Sequence, residues 1–330
     1  MQRFQKILFF CGGLGLSFFI AQTVRAAGPT EIKSDITTET VWTKEGSPYV
    51  IKSDGIKVNA LLTIEPGVVV KFDYSYNSRA KLEINSELIA IGNENERIIF
   101  TSIRDDSFGG DTNLDGDITI PKSGDWNSIH FTPGSRGVID YATVSYGVRS
   151  RTVWGEITII GTNNVSIRNS EIKNSGYYGI FLYNSSSIIE NNIISNNKTG
   201  ISLGGNKKAV MRNNFIAGNV ECGALISGIP ISLDQLDARD NWWGDVSGPY
   251  YKRGLYGYVN EDNLEGKGNC VNDGVLFNPW LQKSPVDEDV ACQENCHSNV
   301  LFLPGIKASR LYKYDSETDK DLDELWVPNW

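Results

Sequence analysis

The sequence is poor in the residues that bind transition metals. It has two histidines, two methionines and five cysteines in 330 residues, and no two cysteines are spaced as Cys-x-x-Cys. Outside the first 26 residues, no stretch is apolar enough to span a bilayer, which takes about 20 residues. A membrane-spanning body is therefore not expected. A zinc centre is disfavoured, although zinc remains the alternative to disulfide bonds for the cysteines.

The N-terminus has the pattern of a secretory signal peptide. Arg3 and Lys6 precede an uncharged apolar stretch, Ile7–Ile20, and Val24-Arg25-Ala26 provides small residues at the positions that determine cleavage. We expect cleavage after Ala26, so that residues 1–26 are removed and the mature protein is secreted or bound to the cell surface. A retained anchor is the alternative, although the apolar stretch is short for one.

The mature chain is acidic. Cleavage would remove three basic residues and no acidic ones, which leaves 28 of the 31 basic side chains against 40 acidic ones and a formal charge of −12. Such a surface repels nucleic acid and anionic membranes, so no nucleic-acid partner is expected. It is compatible with bound cations. We expect the protein to be a monomer.

Four cysteines remain after cleavage: Cys222, Cys270, Cys292 and Cys296. An even number in an exported chain favours disulfide bonds, for which three pairings are possible. The short spacing of Cys292 and Cys296 would allow a local bridge. We therefore expect structural disulfides, and the pairing stays open.

The middle of the chain repeats itself every 22 residues. The pattern Ile-x-Asn-x-x-Ile begins at Ile167 and returns at Ile189 and at Met211, where methionine replaces the first isoleucine. A second marker, Gly-Ile-x-Leu, begins at Gly179 and again at Gly200. A fixed period of this size is typical of units that bury their apolar faces by stacking on one another.

The residues of each unit favour strands over helices. Apolar side chains occupy alternate positions, and asparagine and glycine interrupt each unit too often for a helix to persist. One coil would then hold three short strands, with successive coils stacked at ~4.8 Å. The sequence thus predicts an all-β fold, a parallel β-helix. Four side chains are expected to point into its aliphatic interior: Ile180, Leu182, Ile201 and Leu203.

One asparagine in each unit is expected to shape a turn. Asn169, Asn191 and Asn213 share the same position in three successive units. Asparagine tolerates the left-handed backbone that such a turn needs, and stacked asparagine amides can hydrogen-bond to one another. We expect a structural column of these three residues rather than a ligand site.

An earlier section has a looser form of the same design. Leu62-x-Ile64 is followed 20 residues later by Leu82-x-Ile84. Further strands are expected at Ile98–Thr101, Ile129–Phe131 and Val138–Val144. About nine coils would fit between residues 49 and 248 at this period.

Three segments resemble a known superfamily. Leu62–Phe72 (LTIEPGVVVKF), Gly124–Trp126 (GDW) and Asn241–Pro249 (NWWGDVSGP) are similar to segments of right-handed parallel β-helix repeat proteins of the pectin-lyase-like superfamily. The likeness covers about residues 40–285 and implies a right-handed coil. It also implies that Trp242 and Trp243 cap the end of the core, with sugar stacking as the alternative role. The superfamily contains polysaccharide lyases and hydrolases as well as noncatalytic surface proteins.

The acidic segment Asp111–Asp117 has the pattern of a calcium loop. Oxygen-bearing side chains alternate along it, and a glycine supplies the turn. Asp105 and Asp106 lie close enough in sequence to contribute. Lys122 stands where an EF-hand would have its closing glutamate, so the loop is not an EF-hand, and a solvated acidic loop is the alternative. We expect Ca²⁺ to be bound by Asp111, Asn113, Asp115 and Asp117.

A catalytic site on the β-helix is the rival hypothesis. A polysaccharide lyase needs a basic residue beside bound uronates, and a hydrolase needs clustered carboxylates. Arg149, Arg151, Asp140 and Glu156 are candidates, but they share no spacing that would bring them together. We expect each to be a solvated charge on an outer face.

The C-terminal segment resembles a second family. Asn299–Tyr312 (NVLFLPGIKASRLY) is similar to the start of α/β-hydrolases related to lecithin:cholesterol acyltransferase. In that family the backbone N–H after the glycine helps to hold the oxyanion, and Ile306 occupies the matching position. No Gly-x-Ser-x-Gly nucleophile elbow is expected anywhere in the chain, so we expect the incomplete start of such a domain and no ester hydrolysis by this chain. The acidic run from Asp315 to Asp323 is expected to be a solvated loop.

The sequence therefore predicts four parts: a signal peptide (1–26), a parallel β-helix with an N-terminal cap (27–285), a cysteine-containing linker (286–298) and the incomplete start of an α/β-hydrolase-like domain (299–330). The expected function is an exported β-helix scaffold that binds a polysaccharide or a cell-surface glycan, joined to the start of a lipase-like or esterase-like domain. The alternatives are a polysaccharide lyase or hydrolase acting in the groove of the β-helix, and a structural spacer.

Overall fold

The computed structural model describes residues 28–52, 54–74, 80–116, 118–148, 155–228, 235–254 and 261–286, together with the backbone of 311–315 and 320–326. The predicted signal peptide, Cys292, Cys296 and Ile306 lie outside the described residues. The chain divides into two units, residues 1–287 and 288–330. No helix in the described part of the chain is long and apolar enough to cross a membrane.

Short strands make up almost all the regular structure of the first unit, with one 3₁₀ turn at Lys44–Gly46. Each strand has two to six residues, as expected for coils that turn three times in about 22 residues. In chain order they are β1 (Thr30–Ile32), β2 (Thr40–Trp42), β3 (Tyr49–Ile51), β4 (Ile56–Val58), β5 (Leu61–Ile64), β6 (Val69–Phe72), β7 (Leu82–Ile84), β8 (Glu87–Ile91), β9 (Ile98–Ser102), β10 (Ile129–Phe131), β11 (Arg136–Asp140), β12 (Ala142–Ser145), β13 (Gly155–Ile160), β14 (Asn164–Arg168), β15 (Glu171–Lys173), β16 (Tyr178–Tyr183), β17 (Ile188–Glu190), β18 (Ile193–Ser195), β19 (Thr199–Gly204), β20 (Ala209–Arg212), β21 (Phe215–Ala217), β22 (Cys222–Ile226), β23 (Leu236–Asp237) and β24 (Val275–Leu276).

The strands form three parallel sheets. Sheet 1 has the order β1-β3-β6-β9-β12-β15-β18-β21, sheet 2 has β4-β7-β10-β13-β16-β19-β22, and sheet 3 has β2-β5-β8-β11-β14-β17-β20-β23-β24. From β3 to β23, successive strands belong to sheets 1, 2 and 3 in turn. The protein is a right-handed parallel β-helix with three strands per coil, which confirms the predicted fold.

The 22-residue repeat corresponds to one coil. Ile167 is the register partner of Ile189, and Ile189 is the partner of Met211. Ile180 and Leu182 in the same way lie beside Ile201 and Leu203. All of these side chains are at most 1% exposed and belong to one continuous hydrophobic core. The predicted stacking of an aliphatic interior is therefore confirmed.

The register predicted for the early coils is wrong. Leu62 pairs with Leu88, and Leu82 pairs instead with Ile56. Leu62 belongs to sheet 3 and Leu82 to sheet 2, so they share an alternating apolar pattern without sharing a sheet. Apolar alternation is the same in every strand of the coil, and it cannot identify the sheet when coil lengths vary.

The asparagine column lies one residue later than predicted. Asn169, Asn191 and Asn213 have the expected left-handed backbone, with φ of 47°, 56° and 55°. The stacked amides belong to the residues that follow two of them: Asn192 Nδ2 donates to Asn214 Oδ1 (3.0 Å), and Asn214 Nδ2 donates to Asn241 Oδ1 (2.8 Å). These ladder side chains are fully buried, whereas the turn asparagines are not.

A second asparagine ladder lies at the corner between sheets 1 and 2. Asn197 Nδ2 donates to Asn219 Oδ1 (3.2 Å), and Asn219 Nδ2 donates to Asn269 Oδ1 (2.9 Å). Asn197 Oδ1 also accepts the backbone N–H of Ser175 in the preceding coil (3.0 Å). Each ladder satisfies main-chain groups that the corner leaves without a strand partner, which is the condition for burying them.

The last coils are closed by a tryptophan and a disulfide. Trp243 is fully buried in the core, and Trp242 is partly exposed with its main chain bridged to Phe215. Of the two tryptophans expected to cap the core, Trp243 thus belongs to the core and Trp242 does not. Cys222 and Cys270 are joined, which selects one pairing from those left open.

The connection from β9 to β10 (residues 103–128) is a long insertion packed on the outer face of sheet 1. Ser102 Oγ donates to Asp125 Oδ2 (2.7 Å), and Arg104 forms an ion pair with Asp125 (3.0 Å). At the end of the insertion Trp126 turns into the core and stacks on Phe72, with 3.9 Å between the ring centroids. The insertion is thus held by specific polar and aromatic contacts.

The described part of the second unit is an antiparallel hairpin of β25 (Leu311–Asp315) and β26 (Lys320–Trp326). The acidic run from Asp315 to Asp323 was predicted to be a loop, but its ends lie in these strands.

Candidate functional site

Three carboxylates meet in the insertion on sheet 1. One carboxylate oxygen from each of Asp106, Asp111 and Asp115 lies within 4.8 Å of the others. Asp111 Oδ1 accepts the backbone N–H of Asp115 (3.1 Å), and Asp111 Oδ2 accepts that of Gly116 (2.9 Å). These bonds fold the loop back on itself and leave carboxylate oxygens close together, as a site for a hard cation requires.

A buried lysine lies beneath this cluster. Lys71 is fully buried on β6, and its Nζ donates to the backbone oxygen of Gly110 at 2.6 Å. Burial lowers the pKa of Lys71, and the negative charges of Asp106, Asp105 and Asp111 act in the opposite direction. The ammonium group holds the insertion to sheet 1 and already neutralises part of the acidic charge.

The predicted calcium ligands are only partly brought together. Asp111 and Asp115 join the cluster, and Asp106 is its third member. The amide nitrogen of Asn113 donates to Asp115 Oδ2 (2.8 Å) and to Thr119 Oγ1 (3.2 Å), so the amide nitrogen rather than the oxygen is turned towards Asp115. Asp117 lies outside the described residues.

Sheet 2 has an apolar groove on its outer face that the sequence reading did not predict. Ile180 and Leu182 point into the core, so Phe181 and Tyr183, which alternate with them along β16, point outward. Neighbouring rings follow one another along β16, with centroids 5.7 Å apart for Tyr178 and Phe181 and 6.3 Å apart for Phe181 and Tyr183. The groove has a volume of about 460 Å³ and is lined by Ile160, Phe181, Tyr183, Gly204, Ser227 and Gly228.

Glycine keeps the ring of Tyr183 open to solvent. Gly204 is the register partner of Tyr183 on the next coil, and a Cβ added there would lie 3.0 Å from Tyr183 Cδ2. Tyr183 is 43% exposed, whereas Phe181 is 4% exposed. We call this surface, formed by Ile160, Phe181, Tyr183, Gly204, Ser227 and Gly228, the aromatic groove. The alternation of Tyr-Gly-Ile-Phe-Leu-Tyr at 178–183 is the signal that could have identified it from sequence.

The two candidate catalytic residues that the structure describes, Asp140 and Glu156, lie on different sheets. Asp140 lies on sheet 3 and accepts a hydrogen bond from the amide of Asn169 (2.8 Å). Glu156 is fully buried rather than solvated, and its Oε1 accepts the backbone N–H of Gly147 (2.5 Å). Arg149 and Arg151 lie outside the described residues.

The Gly-x-Ser-x-Gly spacing occurs at Gly200–Gly204 but does not form a nucleophile elbow. Such an elbow requires a sharp turn from a strand into a helix, whereas all five residues lie in β19. Ser202 is fully buried, and its Oγ shares a hydrogen bond with Ser227 Oγ. The motif therefore supplies no hydrolase nucleophile.

Comparison with known protein families agrees with this fold. Residues 127–276 match the model of a family described as the right handed beta helix region. The matched segment spans 150 of the 330 residues and contains every strand that lines the aromatic groove. Searches of curated proteins and of solved structures give no match. The likeness of residues 299–330 to α/β-hydrolases has no support from these comparisons. A β-helix of this kind fits a scaffold or a carbohydrate-related role in general.

Proposed function

We propose that the protein is an exported scaffold that binds a polysaccharide or cell-surface glycan in the aromatic groove on sheet 2. The observation that carries the proposal is the open ring of Tyr183 beside Phe181 and Ile160 in a groove of about 460 Å³. Aromatic side chains offer a flat apolar face together with a polar hydroxyl, which suits ligands that have both characters. Most binding sites are concave and mainly apolar, with a few polar groups that fix orientation.

The rigidity of the groove supports this proposal. Its walls come from successive strands of one sheet, and the side chains behind them belong to the continuous core. A ligand would meet a surface that is already formed, so binding would require little ordering of the protein. The same architecture suits a scaffold that holds attached segments at a fixed place.

The test is binding of the mature chain (residues 27–330) to immobilised polysaccharides, measured by biolayer interferometry. Tyr183→Ala should weaken binding at least tenfold, because it removes the exposed ring without opening the core. Val210→Ala is the matched control, since Val210 is 47% exposed on sheet 3. Equal affinities of wild type and Tyr183→Ala for every bound polysaccharide would contradict the proposed site.

We also propose that the acidic cluster binds Ca²⁺ through Asp106, Asp111 and Asp115. The convergence of three carboxylate oxygens within 4.8 Å favours this role, and Ca²⁺ prefers such oxygen ligands. Weak sites of extracellular proteins have dissociation constants of about 0.1–1 mM, so ~5 mM Ca²⁺ should stabilise the fold by roughly 1–2 kcal/mol.

Thermal unfolding with and without CaCl₂ tests the calcium site. The melting temperature of the wild type and of Glu94→Gln, a change at an exposed residue outside the cluster, should rise on adding Ca²⁺. Asp111→Asn should abolish the rise while keeping one oxygen for the backbone hydrogen bonds. If Mg²⁺ and Na⁺ at equal ionic strength produce the same rise, the effect is general screening and no site exists.

The likeness of residues 299–330 to α/β-hydrolases is retained as a proposal about the gene. Reading past the codon for Trp330 tests it, because a Gly-x-Ser-x-Gly in a strand-turn-helix context would complete the expected esterase. The chain of 330 residues is expected not to hydrolyse p-nitrophenyl butyrate above the blank. Turnover by the purified chain would overturn that expectation.

A further inference from the structure

On the described strands around the aromatic groove, no outward-facing side chain is an Asp, Glu, Lys, Arg or His. On β13, β16, β19 and β22 the side chains that face outward are small, aromatic or aliphatic, whereas Glu156, the one carboxyl on these four strands, is fully buried and accepts the N–H of Gly147. This stands out in a chain of which 22% is charged. None of the described outward positions is Asp, Glu, Lys, Arg or His: Gly155, Thr158, Ile160, Tyr178, Phe181, Tyr183, Thr199, Ser202, Gly204, Cys222, Leu225 and, just after β22, Ser227.

The uncharged area ends abruptly at β10. The register partner of Thr158 on β10 is His130. On the earlier coils the same row contains Glu83 on β7 and Lys57 on β4. Glu83 forms an ion pair with Lys81, which directly precedes β7. Sheet 2 thus has a charged half, β4 to β10, and an uncharged half, β13 to β22. The uncharged half is four strands wide, which is roughly 14 Å at ~4.8 Å per strand.

The described charges near the uncharged half lie at its corners. Lys198 precedes β19 and lies over the ring of Tyr177, 4.9 Å from its centroid. Lys207 is exposed in the turn that follows β19. Neither belongs to the strands that line the aromatic groove, so a ligand lying across the rings would meet no cation from the described strands.

The missing charges discriminate between classes of polysaccharide. A uronate polymer carries a carboxylate on each sugar, and covering such a group without a cation nearby is unfavourable. A neutral polysaccharide has no such cost, because its hydroxyls can remain at the solvent side while the apolar face of a ring covers Tyr183. We infer that the aromatic groove takes an uncharged polysaccharide rather than a uronate polymer, an inference that rests on the proposed glycan-binding function.

The experiment compares neutral and anionic polymers on the same protein. Mature wild type and Tyr183→Ala are applied to immobilised mixed-linkage β-glucan, glucomannan and xylan, and to polygalacturonate and alginate, each at 50 and 500 mM NaCl. We expect binding to at least one neutral polymer that is lost at least tenfold in Tyr183→Ala. That binding should change less than twofold between the two salt concentrations, because no ion pair contributes to it.

The possible failures are distinct. Binding to polygalacturonate or alginate that depends on Tyr183, without such binding to the neutral polymers, would overturn the inference and leave the proposed function standing. Absence of Tyr183-dependent binding to all five polymers would overturn both. Val210→Ala and circular dichroism of Tyr183→Ala exclude a loss caused by misfolding, since both variants should keep the wild-type spectrum.

Discussion

Replacing Glu156 by glutamine tests the role of a buried carboxyl in the stability of the coil. Its Oε1 accepts the N–H of Gly147, and its Oε2 has no hydrogen-bond partner in the structure. Burial raises the pKa of Glu156 to about 8, and the hydrogen bond from Gly147, which favours the ionised form, offsets only part of this rise. The native protein therefore holds this carboxyl protonated at neutral pH.

The raised pKa makes stability depend on pH in one direction. In an unfolded chain the pKa is near 4.5, so between pH 4.5 and 8 unfolding releases a proton. The free energy of unfolding then falls by about 1.4 kcal/mol per pH unit, a total of the order of 5 kcal/mol across the window. The contribution is fully present below pH 4.5 and is lost by pH 8, above which both states are ionised.

The assay is urea unfolding of residues 27–330, followed by tryptophan fluorescence, at pH 5, 6, 7 and 8. Glu156→Gln keeps an oxygen to accept the N–H of Gly147 but does not titrate. The variant should match the wild type within about 1 kcal/mol at pH 5, and it should be several kcal/mol more stable at pH 8. Glu94→Gln, at an exposed position, should run parallel to the wild type at every pH.

Another titrating group acts in the opposite sense and does not disturb the comparison. Burial lowers the pKa of His130 below its usual value, so its contribution to stability rises with pH up to about 6.5. His130 is present in both proteins, and its effect cancels in their difference. Parallel curves for wild type and Glu156→Gln from pH 5 to 8 would refute the reasoning, because they would mean that Glu156 is ionised in the native state.

Four further changes test the fold and the groove. Asn214→Ala should lower the free energy of unfolding by about 3 kcal/mol or more because it leaves several buried groups unpaired, whereas Asn213→Gly, at a left-handed position, should change it by less than about 1 kcal/mol. Urea titration would measure both free energies of unfolding, and equal losses for the two substitutions would contradict the ladder. Removing the Cys222–Cys270 bridge, which spans 48 residues, by double substitution with serine should cost about 2–4 kcal/mol in the same assay; an unchanged midpoint would show that the bridge does not constrain the unfolded chain. Gly204→Val should weaken glycan binding at least tenfold in interferometry by covering the neighbouring ring, and retained affinity would place the ligand elsewhere.

The repeat made the stacking predictable for the regular coils. When Ile167, Ile189 and Met211 recur at a constant interval, a parallel ladder places them beside one another, because each coil then has the same length. The early coils do not have this property. The step from Leu62 to its partner Leu88 is 26 residues, and the step from Glu87 to its partner Arg136 includes the insertion at 103–128. A single period could not find partners across unequal coils.

The sequence indicated the acidic cluster but not the groove. Asp111 and Asp115 belong to a spaced pattern of oxygen ligands, and Asp106 is expected to contribute because it lies close by in sequence; the fold of the insertion over Lys71 brings it to the other two. The groove needs side chains from strands about 22 residues apart, and only their shared register puts Gly204 beside Tyr183. A sequence search for binding residues favours charged or strongly polar side chains, and a site made of rings and glycines escapes it.

The corner between sheets 1 and 2 explains why Glu156 is buried, although the sequence predicts a solvated charge. Gly179 occupies the position of Glu156 in the following coil. A Cβ added to Gly179 would lie 2.8 Å from Asn197 Nδ2, an amide of the ladder inside the corner. Strict alternation would have placed such a residue outside, since the next position, Ile180, points into the core. One coil before Asn197, Ser175 occupies the ladder position, but its hydroxyl donates to Tyr178 O and does not continue the ladder. The N–H of Gly147 in the preceding coil is accepted by Glu156 instead. A charged residue type in the sequence thus becomes a neutral hydrogen-bond acceptor at the end of an asparagine ladder, and the pH dependence predicted for Glu156 follows from that position.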